Sequence, residues 1–358
     1  MIFFEKEMYM KKIIKNSPFR PVFILSVLIL FLIGNPVIHA QSLNFPAKKW
    51  GISFGNSKEF TGLRFNFQDS QVERITGVNI TLWKPKKDNV DSVVTGLSLG
   101  VLPGAGYLKG LNLGILGVAG ESKVEGISLG LLGVGSGGDI IGINIGGLGA
   151  GAGEDVVGIN IGGLGIGAGQ DLIGFNVGGL GVGAGRDLKG FNFGIFGAGG
   201  GRDVFGISIG GLGVGAGENI VGLNIGGLGV GGGKRMVGIN IGGIGAGAGE
   251  KLVGLNIGGI GCGAPEVHGL TIGGVMVGGN ILKGAHLGLG SVWVPKGGQM
   301  TGFAASAFNY IRGTQTGLSI GIVNYAWRVK GVQIGLVNII RDNPRGLKVL
   351  PIFNTNFK

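Results

Sequence analysis

The stretch Gly158-Ile-Asn-Ile-Gly-Gly-Leu-Gly-Ile-Gly-Ala-Gly-Gln-Asp-Leu-Ile173 is one copy of a sixteen-residue text that runs from about residue 110 to 264. Its leading glycine recurs without a slip at Gly110, Gly126, Gly142, Gly158, Gly174, Gly190, Gly206, Gly222, Gly238 and Gly254. A fixed short period marks a repeat architecture, in which each unit must stack on its neighbours to bury its apolar surface. Each unit offers about five large apolar side chains, worth roughly 1.5–3 kcal/mol apiece when buried. Ordering its backbone costs on the order of 1–2 kcal/mol per residue, and glycine loses the most freedom. A single unit is therefore unstable, and stability must grow with the number of neighbours.

Within the unit, the first and third residues after the leading glycine are large and apolar, as in Ile143/Ile145, Phe191/Phe193 and Leu223/Ile225. Between them stands Asn or Ser. A glycine follows, usually doubled, then a second apolar pair such as Leu164/Ile166. The unit closes on small residues and one or two polar positions, for example Gly185-Arg-Asp187. Ile159 and Ile161 share one strand face, whereas Leu164 and Ile166 fall on the opposite face of an uninterrupted strand. The phase changes at Gly162-Gly163. A corner there gives an all-β fold, a β-solenoid of sixteen-residue coils whose two short strands enclose an apolar filling. A glycine bulge there gives long strands and a transmembrane β-barrel instead.

The solenoid is the preferred reading, because successive coils occupy equivalent environments and the same text can repeat unchanged. A barrel reverses alternate strands and carries aromatic girdles at both interfaces. This chain has just four Tyr and four Trp, mostly outside the array. The expected solenoid has Gly- and Asn-rich outer faces with sparse charge.

Of 358 residues 84 are Gly and 14% are charged. Collagen is excluded because the glycine period is not three. A flexible linker is excluded because Ile, Leu and Val recur at fixed columns. Residues 1–40 read as a signal peptide: five basic residues precede the apolar run from Val22 to Ile33, and Ile38-His39-Ala40 offers a cleavage site. Export to the bacterial cell surface, outer membrane or periplasm follows as an expectation, without lipidation, since no cysteine stands after the run. Removing the leader leaves a net charge of +8, from 25 basic and 17 acidic residues. Read as spread thinly with no Lys/Arg cluster, this charge argues against nucleic acid as a partner.

Residues 41–95 read as an N-terminal β cap, with alternating segments such as Leu63-Arg-Phe-Asn-Phe67 and charged turns between them. Residues 96–301 form the glycine-rich array. Residues 302–358 hold divergent repeats and a terminal cap, with leading glycines at Gly302, Gly317, Gly331 and Gly346 and a Pro351 that suits an edge strand.

The units Gly317-Leu-Ser-Ile-Gly-Ile-Val-Asn324 and Gly331-Val-Gln-Ile-Gly-Leu-Val-Asn338, with the ending Leu350-Pro-Ile-Phe-Asn354, resemble the glycine-led "surface repeat" family of exported bacterial proteins. The likeness covers residues 96–358 and is sharp over the last forty. The central units depart from it, with Gly-Leu-Gly in place of two apolar residues and Asn. What the resemblance implies is a place at the cell surface or outer envelope, and no enzymatic activity.

The candidate functional row is the Asn column: Asn144, Asn160, Asn176, Asn192, Asn224, Asn240 and Asn256. Copies stacked about 4.8 Å apart give either an amide ladder that stabilises the array or a flat polar row able to meet glycans, a partner or another copy. In a barrel they would line the lumen. Envelope components, glycans or another protein are the expected partners, membrane association is open, and no oligomeric state follows.

Other motifs carry less. Gly133-Val-Gly-Ser-Gly-Gly138 matches a nucleotide loop, but no helix pattern follows. The Asp column (Asp139, Asp155, Asp171, Asp187, Asp203) reads as turn residues, since calcium needs several oxygen ligands per ion. His268 and His286 stand in different columns, and Cys262 reads as a small buried hydrophobe. In Gly126-Ile-Ser-Leu-Gly130 the serine merely takes the Asn position. No catalytic residue, cofactor or metal is expected, and the function expected is structural or adhesive, with an outer-membrane pore as the alternative.

Overall fold

The computed structural model describes residues 42–357. Thirty-two strands and no helix make up this part of the chain. Each sixteen-residue unit contributes a long strand and a short one. Val156–Gly162 pairs in parallel with Asp139–Gly146 on one side and Leu172–Gly178 on the other, matching Asn160 with Asn144 and Asn176. The short strand Gly165–Ala168 likewise lies between Gly149–Ala152 and Gly181–Ala184. Equivalent residues of successive units therefore stand side by side, and the fold is a β-solenoid. The barrel alternative is overturned: each unit makes two parallel-paired strands and not one antiparallel crossing.

The Gly162-Gly163 corner explains the choice. A Cβ on Gly162 would sit 2.2 Å from the carbonyl oxygen of Gly165, and one on Gly163 would sit 1.9 Å from that of Gly147. The corner closes at a distance that excludes any side chain. The leading glycine is constrained differently. Gly158 has φ of 123°, which L-residues rarely adopt. A Cβ there would lie 2.0 Å from the carbonyl oxygen of Gly142.

This positive-φ column is longer than the repeat text. It begins at Gly51 and passes in register through Gly62, Gly77 and Gly96 before the array, so the segment expected as a cap already contains coils. It continues beyond Gly254 to Gly331. Gly346, expected as a further leading glycine, lies instead in the terminal turn with open space around it. The two ends are closed by the antiparallel pairings of Leu43–Pro46 with Trp50–Phe54 and of Val349–Asn356 with Val323–Ile340. Pro46 and Pro351 sit on these outermost strands, where a missing N–H costs no ladder bond. The expected signal peptide lies outside the described residues.

The interior differs from the expected filling. Ile140, Val156, Leu172 and Leu188, each two residues before a leading glycine, are fully buried, and Ala150, Ile166 and Val182 face them from the short strands. The expected inward pair Ile159/Ile161 points outward, as does Leu164, while Asn160 points in. The cause is one of width. Gly162 packs against Gly149 and Gly165 so closely that no second large side chain fits at the corner, and the Ile140 column meets the short-strand columns of Ala150 and Ala168 instead.

Candidate functional site

The Asn column forms a chain of side-chain amides inside the stack. Asn144 Nδ2 donates to Asn160 Oδ1, Asn160 to Asn176 and Asn176 to Asn192, each at 2.9 Å. Asn224 donates to Asn240 at 3.1 Å and Asn240 to Asn256 at 2.9 Å. Each of these seven residues is 0% exposed, so the flat polar surface row considered for them does not exist. A buried amide is costly unless partnered, and the in-register stack supplies partners within each run of Asn, leaving Asn144 Oδ1 and Asn256 Nδ2 at the run ends without one. Ser208 interrupts the chain, accepting from Asn192 at 3.4 Å and leaving Asn224 Oδ1 without a partner.

The column changes chemistry at both ends. Toward the N-terminus it holds Arg64, fully buried, whose Nη1 donates to Asp69 at 2.6 Å and to Asn79 at 2.7 Å. Toward the C-terminus it passes through Thr271 and His286. Both ring nitrogens of His286 and the Thr271 hydroxyl are buried without partners. Burial, reinforced by the nearby His268, pushes the His286 imidazole down to about 4. Farther along, Gln333 donates to Gln315 at 3.0 Å.

The outside of the long strands carries what the sequence reading placed within. Two columns, one and three residues after each leading glycine from Gly51 to Gly331, run from Ile52 and Phe54 to Val332 and Ile334. Ile143 is 37% exposed and Ile159 43%. Phe175 and Phe191 stack on this face with ring centroids 4.8 Å apart. At the adjoining corner Leu148, Leu164, Leu180 and Phe196 add a third exposed apolar column. Near the N-terminal coils the face deepens into an apolar groove of about 780 Å³, lined by Leu82, Leu99, Leu113, Ile115, Leu129 and Leu131.

The short strands turn glycine outward. A Cβ on Gly167, Gly183 or Gly231 would find its nearest neighbour 4.0 Å away. These glycines are required neither by φ nor by crowding, unlike those of the leading column.

The Asp column, expected in the turns, stands instead where the long strands begin: Asp139, Asp187 and Asp203 are first strand residues, and Asp155 and Asp171 immediately precede theirs. The backbone N–H of Asp171 donates to Asp155 Oδ1 at 2.9 Å, and that of Asp187 to Asp171 Oδ1 at 3.2 Å. Arg186 Nε also reaches Asp171 Oδ1, at 2.6 Å, and holds that carboxyl down at about 2 against the opposing effect of burial. At Asp187 burial pushes upward, but hydrogen bonds from Arg202 and Lys189 prevail and lower the value. These oxygens already serve backbone and arginine donors, and among the described residues no group of three His, Cys, Asp or Glu is placed to hold a metal. Cys262 is buried among apolar neighbours, and its thiol is pushed up to about 11 by burial.

No family model, no curated protein and no solved structure matches this chain.

Proposed function

We propose that the chain is an exported, non-catalytic structural and interaction protein whose working surface is the outward apolar face of the long strands. One observation carries this: from Ile52/Phe54 to Val332/Ile334 every residue of the two columns is apolar and none is buried, although many are half-buried and Ala285 and Ala305 stand among the larger side chains. With coils about 4.8 Å apart and four residues of strand between column edges, the face spans on the order of 1,000 Å². Soluble monomers seldom expose a contiguous apolar patch above about 600 Å², and a stable interface needs roughly 800 Å² on each partner. Membership in the glycine-led surface-repeat family is part of the same proposal, supported by residues 317–324 and 331–338.

The test is cell fractionation of a tagged chain beside a variant with Ile143→Thr, Ile145→Thr, Ile159→Thr and Ile161→Thr. The wild type is expected with the envelope, and the variant is expected to be released from it with unchanged far-UV circular dichroism. A cytoplasmic wild type would overturn export. Unfolding of the variant would show that the outward columns hold the fold together and are not a working face.

A further inference from the structure

Counted by region, the charge of the chain is not spread thinly. Residues 41–266 carry sixteen basic and sixteen acidic residues, whereas residues 267–358 carry nine basic residues against Asp342 alone. The excess of eight positive charges therefore belongs to residues 267–358.

The same end carries exposed aromatic side chains in register. Trp293 pairs with Tyr310 and Tyr310 with Tyr325, and the two tyrosine rings lie 5.1 Å apart. One coil earlier the column holds Gly278, and before it Gly263 and Gly247. The bare glycine face of the array thus ends in a step of aromatic rings. Trp293 is 40% exposed, Tyr310 41% and Trp327 49%.

Cations surround this step. Arg312 lies two residues beyond Tyr310 and is exposed. Its carbonyl accepts the N–H of Gly297, which holds the exposed Lys296 turn beside it. The N–H of Arg341 donates to the carbonyl of Ala326, setting Arg341 one coil past Trp327. Asp342 is engaged by Arg328 at 3.6 Å. Among the described residues no carboxylate lies within ion-pair distance of Lys296, Arg312 or Arg341.

Aliphatic groups complete the end. Ile322, Leu336 and Ile352 are exposed and, with Ile320 and Ile334, line a shallow groove of about 660 Å³. Phe353 and Phe357 are exposed on the terminal segment.

We propose that the C-terminal end of the solenoid docks on an anionic lipid surface, with Lys296, Arg312 and Arg341 meeting headgroup phosphates and Trp293, Tyr310 and Trp327 seated at the headgroup level. Three properties select this occupant. Trp and Tyr favour the membrane–water boundary, where one side of the ring is apolar and the other wet. Unpaired Lys and Arg near an anionic surface each strengthen binding. Exposed Ile322, Leu336 and Ile352 gain from acyl chains but find no counterpart in nucleic acid, which rewards planar rings and cations alone. A second copy meeting end to end would bring like charges together. Ile320 and Ile334 belong also to the long-strand face, but the cations and aromatic rings that select this occupant lie outside its two columns, so the inference does not require that face to be the working surface.

The experiment uses the purified leaderless chain and vesicles of phosphatidylcholine alone or with about one third phosphatidylglycerol. The chain is expected to sediment with anionic vesicles only, and to be released as salt rises to roughly 0.5 M. A triple variant, Lys296→Ser with Arg312→Ser and Arg341→Ser, should bind roughly a hundredfold more weakly. A control that removes three cations from the neutral array, Lys109→Ser with Lys234→Ser and Lys251→Ser, should bind as wild type. In a Trp50→Phe, Trp83→Phe background the two remaining tryptophans should shift to the blue on binding. Equal affinity for neutral vesicles would overturn the proposal. So would a triple variant that binds like wild type while folded by circular dichroism, or binding to single-stranded DNA with none to vesicles.

Discussion

The central array and the C-terminal coils share one register but present different outer surfaces. At the outward position of the short strand the array has Gly151, Gly167 and Gly183, while the last coils have Trp293, Tyr310 and Tyr325. The backbone pairing is the same in both. The fold therefore tolerates large side chains at this column, and its emptiness in the array is a property of the surface. The leading column teaches the opposite. It is glycine in array and end coils alike, from Gly51 to Gly331, always at positive φ and against a neighbouring carbonyl. Two glycines of one unit thus answer to different requirements.

The largest effect should come from the obligatory column. Gly174 has φ of 124°, and an added Cβ would meet the carbonyl oxygen of Gly158 at 2.0 Å. Gly174→Ala combines backbone strain with overpacking, and should cost on the order of 4 kcal/mol. Urea unfolding would measure the loss, and hydrogen exchange would place it in the coils flanking Gly174. An unchanged midpoint would mean that the column bends more easily than its geometry says.

A second effect separates the two interiors. In the array the inward polar column is a chain of amides, whereas at residue 286 it is an imidazole with no partner. His286 sits at about 4 in the folded chain, below the ordinary histidine value of 6.5. Its neutral form is the one the fold accepts, so its contribution is complete above pH 6.5. That contribution is lost as pH falls from 6.5 toward 4, by roughly 3 kcal/mol in all. Hydrogen exchange at pH 7 and pH 4.5 should show the coils around Ile281–Ala305 loosening in acid while the array does not. His286→Asn, which restores the array's own residue, should remove most of that difference.

The period, the corner at Gly162-Gly163 and the parallel stack were all legible in the sequence, because a sixteen-residue repeat admits few ways of satisfying its backbone. The direction of the side chains was not. Attention to Ile159 and Ile161 suggested that the large apolar pair faces inward, since burial is the usual fate of such residues. The contrary signal stood at Ile140, Val156 and Leu172, which are apolar in every unit and share the parity of Asn144, Asn160 and Asn176. Two same-parity columns, one aliphatic and one amide, could have been recognised as the interior. What remained out of reach was the width of the core, which depends on how closely inward glycines let the walls approach. The charged end was legible too, but only when counted by region.

The smallest effect decides what the bare column means. Gly167 has an ordinary φ and 4.0 Å of clearance at the position of a Cβ, so Gly167→Ala meets no strain. Glycine inside a strand normally costs about 0.5–1 kcal/mol relative to alanine, because the unfolded chain has more freedom to lose. Gly167→Ala with Gly183→Ala and Gly231→Ala should therefore raise the stability of the isolated chain, by up to that amount at each site. Such a gain, read from the urea midpoint, would show that the array forgoes stability to keep this face flat. A loss would mean that the outward glycines answer to the backbone after all, and that Trp293, Tyr310 and Tyr325 stand where the last coils have a geometry of their own.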